Sequence, residues 1–103
     1  MAIDGLDEER HGQRWEGQRA LVTGSGQGIG RAVAQLLASK GVKVAVNDIV
    51  PERAENTVKL ITHAVGEAFA APGDISDPDT VEHVFQQFDE HYGGIDILVN
   101  DAG

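Results

Sequence analysis

Cysteine is absent from the 103-residue chain, which excludes a disulfide framework and any thiolate metal site. That absence fits a reducing, cytoplasmic setting. Basic residues are scarce, with 8 Lys and Arg against 17 Asp and Glu and a formal net charge of -9. No basic block occurs anywhere, so a nucleic-acid partner, which needs clustered cations on phosphates, is not expected. No stretch reaches the roughly 18 apolar residues of a spanning helix. Residues 1–16 are polar and acidic and lack the apolar core of a signal peptide, so no membrane partner is expected either. The four histidines, His11, His63, His83 and His91, are scattered without metal-ligand spacing, and no metal site is expected. Repeats and low-complexity segments are missing as well.

What remains is ordinary globular material, 41% hydrophobic and 5% aromatic, enough for one domain and too little for two. Residues 1–17 read as a polar, solvated lead-in. Trp15 is the exception, an apolar side chain placed to fold back over an edge. Residues 18–103 read as the domain. The segment 19–23 is short and nearly all apolar, the pattern of a strand covered on both faces. Residues 28–40 follow as a helix with Ile29, Val33, Leu36 and Leu37 as its buried stripe, stopped by Gly41. A second strand covers 42–48, with Val42, Val44 and Val46 on one face and Ala45 on the other. Pro51 opens a second helix with a stripe of Ala54, Val58, Ile61 and Val65, ended by Gly66. A third, weaker strand covers 67–71. Asp77 caps a third helix with Pro78 at its first position and a stripe of Val81, Val84, Phe85, Phe88 and Tyr92. Gly93-Gly94 breaks it, and a fourth strand covers 95–100.

Alternation of this kind implies an α/β fold, a Rossmann-like doubly wound parallel sheet. The four predicted strands fall in the order 3-2-1-4, with the switch point between the first and the fourth. Ligands bind outside the carboxyl ends of the strands at such a point. The segment after the first strand is Thr23-Gly24-Ser25-Gly26-Gln27-Gly28-Ile29-Gly30. A glycine-rich turn between a strand and a helix start offers free backbone N–H groups and the positive end of a helix dipole to a phosphate. The register is T-G-x-x-x-G-x-G, not the P-loop pattern, so a P-loop kinase or ATPase is not expected. Asp48 ends the second strand, 18 residues past Gly30. An acid there accepts hydrogen bonds from ribose hydroxyls and repels a 2′-phosphate, selecting NAD over NADP. No Arg or Lys stands at Gln27 or Ile49 to offset it. Asp74, next to Ile75, is either an acceptor for an adenine amino group or a loop aspartate bonded to nearby N–H groups.

Thr23-Gly24-x-x-x-Gly28-Ile29-Gly30, Asp48, Gly73-Asp74-Ile75 and Asn100-x-Ala102-Gly103 together resemble the short-chain dehydrogenase/reductase family. The resemblance runs from about Trp15 to Gly103. It implies the cofactor-binding half of an oxidoreductase that moves hydride between NAD(H) and an alcohol or carbonyl. It also implies that Asp74 and Ile75 flank the adenine ring and that the segment from Asn100 to Gly103 lies along the cofactor's ribose. Ser25 and Gln27 fall inside the same loop. Two departures stand out. Asp101 replaces the second Asn of the family's N-N-A-G, and an ionised Asp only accepts hydrogen bonds. The end of the fourth strand is therefore expected to be weakened, or Asp101 to hold its proton if buried. The family's catalytic Ser, Tyr and Lys (with a helper Asn) all lie beyond N-N-A-G, where this chain ends. Tyr92, the one tyrosine, sits on an apolar stripe and is expected to pack. A fragment is thus expected, marginal in stability, with its fourth strand an open apolar edge that invites self-association. Weak NAD binding at best and no hydride transfer are expected of it alone. The alternatives are a stand-alone nucleotide-binding or interaction module without catalysis, or a subunit that completes its site by pairing that edge with a second polypeptide.

Overall fold

Alanine, valine, leucine and isoleucine fill the short segments assigned to strands. A computed structural model, which describes residues 2–4 and 15–101, gathers them into one five-stranded sheet. The elements are β1 (Ala2–Asp4), β2 (Arg19–Thr23), α1 (Gly28–Ser39), β3 (Lys43–Val46), α2 (Pro51–His63), β4 (Glu67–Ala70), α3 (Pro78–Tyr92) and β5 (Ile97–Asn100). The sheet order is β1-β5-β2-β3-β4. Its four parallel strands, β4-β3-β2-β5, reproduce the expected 3-2-1-4 order. Ala20 sits between Val44 and Ile97, and Thr23 pairs with Asn100. The loops after β2 and β5 therefore leave the sheet side by side.

One strand is additional. β1 lies antiparallel on β5, with Ala2 opposite Asn100 and Asp4 opposite Leu98. This corrects two expectations, that residues 1–17 are only a solvated lead-in and that the last strand is an open edge. The free N–H and C=O groups of an edge recruit any segment that can reach them. An antiparallel partner needs no crossover. Residues 5–14 lie outside the described residues.

The two faces of the sheet are covered unequally. Val22, Val44, Val46, Ile97 and Val99 meet Ala34 and Leu37 of α1 and Ala54 and Ile61 of α2, and Trp15 packs against this cluster. On the other face Leu21, Ala45 and Ala71 meet Val84 and Phe88 of α3. The division of β3 into valines on one side and Ala45 on the other is as expected. The helical stripes need adjustment. Ile29, Leu36, Val65 and Phe85 are exposed. α1 buries Gly30, Ala34, Leu37 and Ala38 instead, because small residues bring the helix axis close to its neighbours and turn the larger side chains outward. Asp77 caps α3 as expected, its carboxylate accepting the Asp79 N–H at 3.0 Å.

Two local features set stability. Arg19 and Asp96 tie the starts of β2 and β5 by a two-pronged pair, Nε to Oδ2 at 2.9 Å and Nη2 to Oδ1 at 3.1 Å. The Arg19 guanidinium holds the Asp96 carboxyl below its ordinary range. A depressed carboxyl stabilises the fold above its unfolded value and loses that effect as the pH falls through the lowered one. The second feature closes α2. Gly66 N–H donates to the Ile61 carbonyl at 2.9 Å and Val65 N–H to that of Thr62 at 3.0 Å, the pattern of a Schellman motif. The left-handed position in that motif normally carries glycine, but here it falls on Val65, at φ 67°. Gly66 is needed one residue later, where a Cβ would stand 2.7 Å from Ile61 Cγ2. Val65 is 94% exposed and gains nothing in packing. Val65→Gly is expected to raise stability by about 1 kcal/mol, since relief of left-handed strain exceeds the entropy glycine adds to the unfolded chain. Urea unfolding measures this; a lower midpoint would contradict it.

Candidate functional site

The glycine loop leaves β2 at Thr23 and is held from below by buried groups. Ser25 N–H donates to the Asn47 carbonyl at 2.8 Å, and Ser25 Oγ donates to the Val22 carbonyl at 2.7 Å. Gly26 N–H donates to Asp48 Oδ2 at 3.0 Å. Gly28, at φ 59°, turns the chain into α1 with open space where its Cβ would be. Gly30 is required by close approach, because its Cβ would meet the Gly24 carbonyl oxygen at 2.2 Å. α1 begins with no side-chain cap from Gln27 and no acid in its first turn. The N–H groups of that turn lack an intrahelical partner, and no carboxylate of the turn competes for them.

Asp48 is 5% exposed. Its second oxygen, Oδ1, accepts the Val50 N–H at 2.9 Å. Across the switch point, Thr23 Oγ1 donates to Asn100 Oδ1 at 3.0 Å and accepts the Asp101 N–H at 3.1 Å. These two bonds tie the end of β5 to the end of β2. The Asp101 side chain stands beside Gly30. Asp74 is exposed and bonds locally: Oδ1 accepts from Ser76 Oγ at 2.7 Å and Ser76 N–H at 2.9 Å. The Ser76 hydroxyl, then its N–H, hold the Asp74 carboxyl below the usual range.

These pieces surround one cleft of about 660 Å³ at the carboxyl ends of the strands. Of the residues singled out in the sequence, Gly24, Gln27, Gly28, Ile29, Asp48, Ile49, Asp74, Ile75 and Asn100 line it. Thr23, Ser25 and Gly30 do not line it; they set the loop and the strand ends that do. Ala102 and Gly103 lie outside the described residues. Sequence reading missed Asn47, Arg53 and Ser76 as lining residues, whereas Asp101, within the segment expected along the ribose, lines the cleft as well. Asn47 is buried and its Nδ2 donates to the carbonyls of Ala71 at 2.9 Å and Gly73 at 3.2 Å. It thereby links the loops after β3 and β4. Arg53, exposed in the first turn of α2, shares the cleft with Asp48. Its signal was available, since a helix opened by Pro51 must place its first turn near the end of the preceding strand. Tyr92 stands apart from the cleft. It meets Phe88 edge-on at 5.5 Å and Phe69 at 5.1 Å, and burial, with the Glu67 carboxylate second, pushes its hydroxyl upward. That environment suits packing. Among the described residues, no group of three His, Asp or Glu could hold a metal ion. No described helix is long and apolar enough to cross a membrane.

Residues 18–103 match the family model described as short chain dehydrogenase. An uncharacterized oxidoreductase of Thermotoga maritima is 42% identical over 89 residues, 86% of this chain and 35% of that protein. The short-chain dehydrogenase/reductase homolog YusS of Bacillus subtilis is 45% identical over 84 residues, 81% of this chain and 77% of that protein. Among solved structures, a 7α-hydroxysteroid dehydrogenase complexed with NADH and 7-oxo glycochenodeoxycholic acid is 32% identical, with a TM-score of 0.77 over 80% of this chain and 32% of that one. The chain spans about a third of the length of the Thermotoga relative and of the steroid dehydrogenase.

Proposed function

Because the chain belongs to the short-chain dehydrogenase family, we propose that it is the cofactor-binding part of an oxidoreductase that moves hydride between NAD(H) and an alcohol or carbonyl substrate. The observation that carries this reading is the shared cleft: the uncapped start of α1 and the Asp48 carboxylate open into the same space at the switch point. The NADH held by the related steroid dehydrogenase supports the cofactor class.

The nicotinamide dinucleotide, when bound, supplies the hydride donor or acceptor. The rest falls to the chain. The first-turn N–H groups of α1, from Gly28 to Gly30, receive the pyrophosphate. Gly24 and Gly28 keep that approach clear of side chains. Asp48 takes the ribose hydroxyls. A carboxylate offers about four acceptor sites, and Gly26 and Val50 N–H use two of them. The remaining capacity suits a pair of hydroxyls. Asp74 and Ile75 flank the adenine, and Asn100 and Asp101 face the cofactor's ribose. The reaction's own proton transfer belongs to the Ser, Tyr and Lys of the family, which this sequence does not contain.

Asp48 sets the choice between NAD and NADP in this reading. Asp48 is itself buried, and a carboxylate there repels a 2′-phosphate. Asp48→Ala is expected to reduce the preference for NAD over NADP about tenfold, the effect of removing a repulsion of about 1.4 kcal/mol. It should also cost stability, since Gly26 and Val50 lose their acceptor. Calorimetric titration with both dinucleotides measures the ratio, and an unchanged ratio would count against Asp48 as the selector.

A nucleotide-binding or interaction module without catalysis is the second reading. The 77% coverage of YusS, a relative of comparable length, favours it. The coding sequence downstream of Gly103 separates the two. A continuing frame with Ser and Tyr-x-x-x-Lys supports the first, and a stop codon supports the second.

A further inference from the structure

The loop's two inner carbonyls are held by side chains that no motif in the sequence singles out. Thr57, in the middle of α2, is completely buried. Its hydroxyl donates to the Ser25 carbonyl at 2.9 Å and accepts from Arg31 Nε at 2.9 Å. Arg31, in α1, also donates through Nη2 to the Gly26 carbonyl. A buried threonine in mid-helix ordinarily bonds back to its own helix; this one reaches across to the loop. Arg31 therefore engages one loop carbonyl directly and the other through Thr57.

We propose that Arg31 and Thr57 act as a positioning relay that sets the glycine loop to receive the pyrophosphate of a dinucleotide. The inference rests on the dinucleotide reading of the cleft. Its physical basis is the planar trans peptide, in which the N–H points opposite to the C=O of the same unit. Fixing the Ser25 carbonyl on Thr57 turns the Gly26 N–H the other way, and that N–H is found on Asp48. Fixing the Gly26 carbonyl on Arg31 likewise turns the Gln27 N–H away from Arg31, and Gln27 lines the cleft. The relay also explains why arginine is needed. Its planar fork reaches the hydroxyl and the carbonyl at once, whereas a lysine ammonium is a single point on a flexible stem. The half-buried guanidinium adds positive potential behind the loop.

The test uses the full chain with two probes, ADP, which carries the pyrophosphate, and adenosine, which does not. Thr57→Val removes the hydroxyl at nearly constant volume. It is expected to weaken ADP about tenfold, the effect of one lost buried hydrogen bond, while leaving adenosine within about twofold. Thr57→Ser, which keeps the hydroxyl, should bind ADP like the parent. Should Thr57→Val not fold, Arg31→Lys takes its place, keeping the charge and losing the fork, with the same selective loss expected. Equal ADP affinity in the variant and the parent, or a parallel loss for both probes, overturns the relay. A parent chain that binds neither ADP nor NAD overturns the dinucleotide reading itself, and the relay with it.

Discussion

Gly30→Ala is expected to cost about 3 kcal/mol of folding stability and to abolish dinucleotide binding. Alanine is the better helix former by about 1 kcal/mol, so intrinsic propensity predicts the opposite sign. Contact geometry decides the matter. The new Cβ would sit 2.2 Å from the Gly24 carbonyl oxygen and 2.9 Å from Asp101 Oδ2. The first of these is backbone and cannot swing aside. Either α1 lifts from the loop or the Gly24 peptide rotates, and both disturb the donors at the start of α1. Gly28→Ala is the control. Its Cβ meets nothing within 4 Å, but its φ of 59° is left-handed, so the expected cost is only the roughly 1–2 kcal/mol of that conformation. Urea unfolding of both variants ranks them. A Gly28→Ala loss equal to or greater than that of Gly30→Ala would contradict the close-approach account.

Phe88→Ala should be the most damaging core change, with a loss of about 3–5 kcal/mol. Phe88 is fully buried and heads the ranking of such side chains by volume. It lies on α3, which alone among the described helices contributes to the second core, against Leu21, Ala45 and Ala71. No neighbouring helix of that cluster can settle into the cavity. The loss is large beside the roughly 5–15 kcal/mol that holds an ordinary domain together, so a substantial unfolded population is expected at 37 °C. Circular dichroism against temperature and urea reads this directly. A loss below about 1.5 kcal/mol would mean that the second face of the sheet is not organised by α3.

Most of the sheet was legible because β2, β3 and β5 are largely buried and read as apolar runs between glycine or proline signals. β2 and β5 are recognisable from Ala20-Leu21-Val22 and Ile97-Leu98-Val99 alone. β1 was not legible, since three residues are too few to show a period and only the edge of β5 gives them a place. The helix stripes misled for a different reason. Large side chains usually mark the buried face, but α1 approaches its neighbours through Gly30, Ala34 and Ala38, which leaves Ile29 and Leu36 outside. At Val65 two demands fell on adjacent positions, and glycine could meet only one of them. In the candidate site the loop glycines and Asp48 announce themselves by type and spacing. Asn47, Arg53, Ser76 and Thr57 carry no such spacing. Their signal is local: a polar residue ending a strand, a cation one turn into the next helix, a hydroxyl set within an apolar stripe.

The cleft at the ends of β2, β3 and β5 is proposed to receive a nicotinamide dinucleotide. Calorimetric titration of the full chain with NAD and, in parallel, with NADP tests it most directly. Saturable one-site binding of NAD with a Kd at or below about 1 mM, tighter than NADP and lost in Gly30→Ala, is the predicted result. No saturable heat with either dinucleotide from a folded sample would contradict it.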